Sequence, residues 1–178
     1  MMKLSFQFAR RKDQGFSILE MMLATVILLV GLVAIAQLVP ASILLNYRNR
    51  TDSAALVFAQ RELDQFLDQP LISTSFADQL GNTCNLGNPG SPNTVQGSPV
   101  VVINNLALIN FAAATVPNYS LTYSDSTDPN NAVFDVRWAV IITGDGSSIS
   151  AKRFILGVRQ QGGNGYFQPV TLDTMVGR

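Results

Sequence analysis

We predict an α+β fold, in which a long N-terminal helix packs on a small antiparallel β-sheet. Residues 16–69 follow a continuous helical pattern that is apolar at first and amphipathic afterwards. Residues 100–178 contain short segments in which apolar and polar side chains alternate, a pattern typical of strands. Pro70 and a stretch rich in Gly, Asn, Pro and Ser separate the two regions.

The composition argues against most catalytic chemistry. The 178 residues correspond to one domain, and 12 basic and 12 acidic side chains leave no net charge to direct the chain onto nucleic acid. Histidine is absent, which removes the commonest general base and metal ligand. A single cysteine, Cys84, allows neither an intrachain disulfide nor a thiolate zinc site. We therefore expect no enzymatic activity, no cofactor and no bound metal.

The first half of the predicted helix has the length and composition of a membrane span. Residues 21–39 are 19 consecutive uncharged positions, close to the roughly 20 that a spanning helix needs. Basic side chains precede them and give residues 1–15 a local charge of +3. The positive-inside rule then places this leader in the cytoplasm and the chain from about Asn46 onward outside it.

Glu20 distinguishes this segment from an ordinary signal sequence. A secretory signal would be cleaved near the AIA sequence of residues 34–36, but the apolar run continues beyond it. A simple uncleaved anchor is the other alternative. A carboxylate in the bilayer costs roughly 2.5–3.5 kcal/mol on insertion scales, so Glu20 requires a partner. Cleavage between Gly15 and Phe16 would place a new α-ammonium group one helical turn from Glu20.

Residues 11–20, RKDQGFSILE, resemble the class III signal of type IV prepilins and type II secretion pseudopilins. In that family a membrane peptidase cuts after the glycine, the new N-terminal phenylalanine is N-methylated, and the glutamate at the fifth mature position is needed for assembly. The resemblance therefore implies cleavage after Gly15, N-methylation of Phe16 and an assembly role for Glu20. It is close over about residues 9–45.

The resemblance also implies a fold, a location and partners. The fold would be the type IV pilin fold, with residues 1–15 as a cleaved leader and residues 16–45 as the transmembrane and assembly helix. The protein would lie in the inner membrane with its C-terminal domain outside the cytoplasm, and then enter a pilus or pseudopilus. Its partners would be prepilin peptidase, other pilin subunits, the pilus assembly machinery and the membrane. Residues 27–32, ILLVGL, are most similar to minor pilins of the PilV type.

Two residues weaken the helix. Pro40 removes a backbone donor and clashes with the carbonyl of Ala36, so a kink is expected there. Gly31 costs about 1 kcal/mol relative to alanine. Both residue types are frequent in membrane helices. The resemblance implies a further possibility, that the helix loses local helicity between them when it packs into a filament.

Residues 46–69 read as an amphipathic continuation of the helix. The predicted buried stripe, which would dock on the sheet, is Leu56, Ala59, Leu63 and Phe66. The charged residues that largely occupy the other faces are Arg50, Asp52, Arg61, Glu62 and Asp68. Pro70 should end the helix near Gln69.

We predict a variable loop at residues 70–99, with an irregular, surface-exposed part at residues 81–99. Cys84 lies in this part and is interpreted as a lone structural thiol, with an intermolecular disulfide or a metal contact as the alternatives. In the related major pilins a disulfide often closes the C-terminal loop, which this chain cannot form.

The antiparallel β-sheet region is predicted at residues 100–178. Its strongest element is a hairpin at residues 132–159, whose first strand directs Phe134, Val136, Trp138, Val140 and Ile142 to one face and Asp135 and Arg137 to the other. Val100–Ile103 and the alternation around Leu121 predict further strands. Residues 106–114 are ambiguous between strand and short helix, and residues 166–176 suit an edge strand. Residues 124–131 have oxygen ligands, but they read as a polar turn rather than a calcium loop.

These features predict a structural function. We expect a membrane-stored subunit, a minor pilin, that assembles through its N-terminal helix. A type II secretion pseudopilin is the alternative within the same class. A monomeric, membrane-anchored extracytoplasmic binding domain, in which Glu20 is incidental, is the alternative from another class.

Overall fold

The computed structural model describes residues 15–124, 132–146, 148–161 and 169–177. The chain divides into two compact units, Met1–Leu45 and Asn46–Arg178, which are considered separately. Helix α1 (Ile18–Leu67) begins in the first unit and ends in the second. The remaining elements are β-strands of the second unit, and the α+β prediction is confirmed.

Helix α1 is slightly shorter at both ends than the sequence predicts. The hydroxyl of Ser17 accepts a hydrogen bond from the backbone N–H of Leu19 (3.3 Å), so Ser17 caps the helix and Phe16 precedes it. At the other end the helix stops at Leu67 and not at Gln69. The N–H of Gln69 bonds to the carbonyl of Phe66 (3.3 Å), a tighter turn than the helix makes.

Five antiparallel strands form the main sheet. In order across the sheet, four of the strands are β3 (Val95–Gly97), β7 (Val133–Gly144), β8 (Ile149–Gln160) and β9 (Val170–Gly177). The fifth strand, β6 (Ser120–Ser124), pairs with β7 along the same edge as β3. Two small hairpins accompany the main sheet. They are β1 (Ser75–Ala77) with β2 (Thr83–Asn85), and β4 (Val100–Ile103) with β5 (Leu106–Ile109).

The predicted hairpin and its core face are confirmed. Strands β7 and β8 pair along their length, with Trp138 opposite Leu156 and Val140 opposite Phe154. The members of the predicted face that are almost completely buried are Phe134, Val136, Trp138, Val140 and Ile142. Phe66 of α1 packs against the rings of Trp138 and Phe154, with centroids 5.1 and 5.6 Å away.

The buried stripe of α1 differs from the predicted one. Ala59 and Phe66 are buried and Leu63 packs at the edge of the core, but Leu56 is 38% exposed. The observed stripe is Thr51, Ala55, Ala59, Glu62 and Phe66. Glu62, predicted on a polar face, is therefore a core residue, and it shares the buried stripe with the small side chains of Ala55 and Ala59.

Asp135 and Arg137 lie opposite the core face of the main sheet, as predicted, and this second face is also covered. Ile109 and Phe111 pack with Ala139 and Ile155 in a second apolar cluster. Beneath this layer the guanidinium of Arg137 donates from Nε and Nη2 to the carboxylate of Asp135 (2.8–3.1 Å), and from Nη1 to the carbonyl of Ala113 (2.7 Å). The two charges are buried as a hydrogen-bonded pair.

Three short strands interrupt the loop that composition predicts at residues 70–99. They are β1, β2 and β3, and β3 joins the main sheet by pairing with β7. Cys84 on β2 is a buried, free thiol, and burial together with nearby carboxylates raises its pKa to about 12. The buried position of Cys84 is consistent with its interpretation as a lone structural thiol.

The structure resolves one ambiguity of the sheet region. Residues 106–109 form β5, while Val100–Ile103 forms β4 as predicted. The predicted edge strand appears as β9, shifted toward the C-terminus. Most of the polar turn predicted at residues 124–131 lies outside the described residues.

Candidate processing and assembly site

The predicted cleavage site lies in extended chain ahead of the helix. Phe16 is 78% exposed. A Cβ built on Gly15 would meet no described atom within 4 Å. Nothing that the structure describes in the chain itself therefore requires glycine at position 15. The steric demand for a residue without a Cβ would have to come from a partner that binds this backbone.

Glu20 lies in the first turn of α1 and is exposed. A carboxylate at this end of a helix is stabilised by the partial positive charge of the unpaired backbone N–H groups. Glu20 follows Phe16 by four residues, so it lies one helical turn from the terminus that cleavage after Gly15 would create.

The apolar side chains of the first unit have no packing partner among the described residues. Every large hydrophobic residue from Ile18 to Leu45 is at least 48% exposed. An 18-residue window of α1 has a mean hydropathy of 2.7, and by length and composition the helix could cross a membrane. This surface suits a hydrocarbon environment or the apolar helices of other subunits.

The two predicted weak points stand within an unbroken helix. Helix α1 continues through Gly31 and Pro40. A Cβ on Gly31 would meet nothing within 4 Å, so no described neighbour requires this glycine. The loss of helicity on filament packing that the resemblance implies stays a prediction.

The globular unit contains a buried acidic cluster that the sequence pattern missed. Oε1 of Glu62 accepts hydrogen bonds from the Tyr123 hydroxyl and from Nε2 of Gln65 (3.1 Å), while Oε2 is buried without a partner in the described part of the chain. Burial raises the pKa of Glu62, the Tyr123 hydrogen bond opposes this effect, and the charge of Asp78 adds to it. Helical periodicity alone could have indicated position 62, because it lies on the same face as Ala55, Ala59 and Phe66.

One comparison with known proteins finds a match, and it falls on the N-terminal segment. The family model described as the prokaryotic N-terminal methylation motif matches residues 10–36. No curated protein and no solved structure matches the chain. The matched range includes Gly15, Phe16, Glu20 and Gly31.

A methylation motif that runs into an apolar N-terminal helix, followed by antiparallel sheets, defines this chain as an α+β protein with a type IV pilin-like N-terminal segment. The chain carries the class III signal of type IV pilin-like proteins, and its fold class is consistent with the pilin fold.

Proposed function

We propose that the protein is a structural subunit of a type IV pilus, as a minor pilin. The observation that carries this proposal is the methylation motif at residues 10–36, followed by an apolar helical surface with no packing partner among the described residues. A filament of packed N-terminal helices would bury this surface. The role is structural rather than catalytic.

In this proposal the precursor is inserted in the inner membrane with residues 1–15 in the cytoplasm. Prepilin peptidase cleaves it after Gly15, and Phe16 becomes the N-methylated terminus. Glycine at position 15 suits this step, since a peptidase that approaches the backbone closely would exclude a Cβ.

Glu20 sets the position of each subunit during assembly. In the membrane its carboxylate lies near the interface, where water and head groups solvate it. Among the apolar helices of a filament, the positively charged terminus of a neighbouring subunit is its natural partner. Pairing at this one charged position would fix the axial register between subunits.

Mass spectrometry of the mature N-terminus tests the proposal directly. The expected mature chain begins with N-methyl-Phe16. A chain that begins at Gln37 would indicate an ordinary signal peptidase, and a retained Met1 would indicate a plain anchor. A type II secretion pseudopilin would share the same terminus, so affinity purification of intact pili and of the secretion apparatus separates these two functions.

A further inference from the structure

A polar cavity of about 380 Å³ opens on the globular unit beside the connection between helix and sheet. Its volume falls within the range of about 300–1,000 Å³ that small-molecule sites occupy. The residues that line it carry hydroxyl, carboxamide and phenol groups and no charge; they are Thr74, Ser75, Asn85, Gly87, Asn88 and Tyr119.

Backbone hydrogen bonds hold the walls of the cavity in place. Ser75 of β1 pairs with Asn85 of β2, and the N–H of Leu86 bonds to the carbonyl of Thr74 (2.7 Å). The carbonyl of Asn85 accepts a hydrogen bond from the indole Nε1 of Trp138 (2.8 Å). The cavity is therefore preformed, and a ligand would not have to order these strands.

The ring of Tyr119 is fixed against the main sheet. A Cβ on Gly97 would lie 2.3 Å from Cδ1 of Tyr119, so the ring occupies the space that the missing side chain leaves. The Trp138 ring lies 6.1 Å away, between centroids. Gly97 and Trp138 therefore restrict the movement of the ring without lining the cavity.

Several polar side chains of the cavity have no partner within the described ranges of the chain. The Asn85 carboxamide and the hydroxyls of Thr74 and Ser75 make no hydrogen bond to another described residue. The carboxamide oxygen of Asn88 accepts from the N–H of Gly90 (2.9 Å), which leaves its amino group available. The cavity thus presents both donors and acceptors at a fixed aromatic ring.

We propose that this cavity binds one neutral sugar unit of a glycan. A charged ligand would find no counter-charge among the lining residues, and an apolar ligand would leave the carboxamides and hydroxyls unpaired. A sugar ring offers hydroxyls that both donate and accept, and an apolar C–H face that suits an aromatic ring. This inference does not depend on the filament proposal, because it rests on the globular unit alone.

The test uses Trp138, the single tryptophan of the chain, as a fluorescent reporter, because it contacts both Tyr119 and the Asn85 carbonyl. The full chain, in a detergent without a sugar head group, is titrated with the methyl glycosides of glucose, galactose, mannose and N-acetylglucosamine. Saturation-transfer NMR of each glycoside provides a second readout. We expect saturable binding of at least one glycoside in the millimolar range or below.

Two variants locate the site. Asn85→Ala keeps the two backbone bonds of this residue and should weaken binding by about tenfold or more. Asn49→Ala, which removes an exposed carboxamide from α1, should bind as the unmodified protein does. Ser75→Ala provides a second test of the cavity if Asn85→Ala lowers the melting temperature.

The proposal is overturned if no glycoside saturates or if both asparagine variants bind equally well. Binding of a polysaccharide in addition to the free glycoside would identify a surface glycan as the source of the sugar. None of these outcomes changes the expected Phe16 terminus, so failure here and failure of the filament proposal are distinguishable.

Discussion

The hydroxyl of Tyr123 on β6 donates a hydrogen bond to Oε1 of Glu62 on α1, inside the core of the globular unit. This bond connects the helix to the sheet at a site where apolar packing surrounds a carboxyl group. Phe58, one turn earlier on α1, stacks on the same tyrosine ring with centroids 5.6 Å apart. Because burial penalises the charged carboxylate, the pKa of Glu62 is raised above its ordinary value.

The contribution of Glu62 to the stability of the globular unit should therefore fall as pH rises from acid toward neutral, whereas the lowered pKa of Asp78 gives a slope of opposite sign. The pKa of Glu62 is raised in the folded state, so the folded chain binds this proton more tightly than the unfolded chain does. The resulting stabilisation of the folded state is fully present at pH values below the pKa of Glu62 in the unfolded chain. It is lost as pH rises through the pKa of Glu62 in the folded chain. Urea unfolding of Asn46–Arg178 at a series of pH values measures this slope.

Glu62→Gln is the control for this pH dependence. The amide keeps an oxygen that can accept from Tyr123 but cannot titrate, so the slope due to position 62 should disappear. The series should stop below about pH 7, because burial lowers the pKa of Lys152 to about 8 and its titration gives the opposite slope. An unchanged slope in the glutamine variant would assign the effect to another group.

Removing Asp135 should be strongly destabilising. Asp135→Ala leaves the guanidinium of Arg137 buried without its counter-charge, and we expect a loss of about 3–5 kcal/mol in the free energy of unfolding. Asp173→Ala is the matched control, because its pair with Arg153 is partly exposed and should contribute about 0–1 kcal/mol. Denaturant titrations of both variants provide the comparison, and similar losses would contradict the burial argument.

Truncating the central aromatic residue tests the docking of helix and sheet. Trp138 of β7 is fully buried and its ring packs against Phe66 of the helix, so Trp138→Ala should cost roughly 3–5 kcal/mol. Val102→Ala, at a position 71% exposed on β4, should change stability little. The fragment Asn46–Arg178 is expected to melt cooperatively, and a change below about 1 kcal/mol in the tryptophan variant would contradict this core assignment.

Gly97 should be less tolerant of alanine than Gly146, although both have positive φ angles of +100° and +89°. At Gly97 a Cβ would lie 2.3 Å from the Tyr119 ring and 2.9 Å from the Trp138 carbonyl, whereas at Gly146 no described atom lies within 4 Å. Gly146→Ala therefore tests backbone strain alone. Thermal melting should show the larger decrease for Gly97→Ala, and equal decreases would exclude the steric contribution.

Glu20→Ala should leave cleavage intact and reduce incorporation into filaments. Without the carboxylate, the helix enters the membrane more favourably but loses the charge that pairs with a neighbouring terminus. Glu20→Gln separates charge from size and should behave like the alanine variant. Immunoblots of sheared filaments and of membranes measure the distribution, and wild-type amounts of Glu20→Ala in filaments would exclude the pairing mechanism.

Local sequence patterns were sufficient to predict an element when nearly all of its side chains favour the same environment. The apolar run after Gly15 predicts the helix because nearly every side chain in it has the same preference. The hairpin of β7 and β8 follows from strict alternation around Trp138, since a one-residue shift would bury the wrong side chains. The motif at residues 10–36 depends on spacing along the chain, which needs no tertiary contact.

Other features depend on partners that are distant along the chain. Alternation with core residues places Asp135 and Arg137 on the opposite face of the sheet, but it does not reveal that the segment containing Phe111 covers them. Residues 81–99 have the composition of a loop, but β3 obtains its strand geometry by pairing with β7. Composition indicates which environment a residue prefers, but it does not reveal which other segment will cover that residue in the folded chain.

By itself, the sequence determined the processing signal, the apolar helix and the main hairpin of this protein, because spacing and periodicity encode them locally. Only the tertiary structure decided which face of α1 is buried, that Glu62 bonds to Tyr123, and that a polar cavity forms beside Tyr119. The physical reason is that burial of a polar side chain is favourable only when its partners are already in place. Those partners come from segments separated by tens of residues, and only the folded chain brings them together.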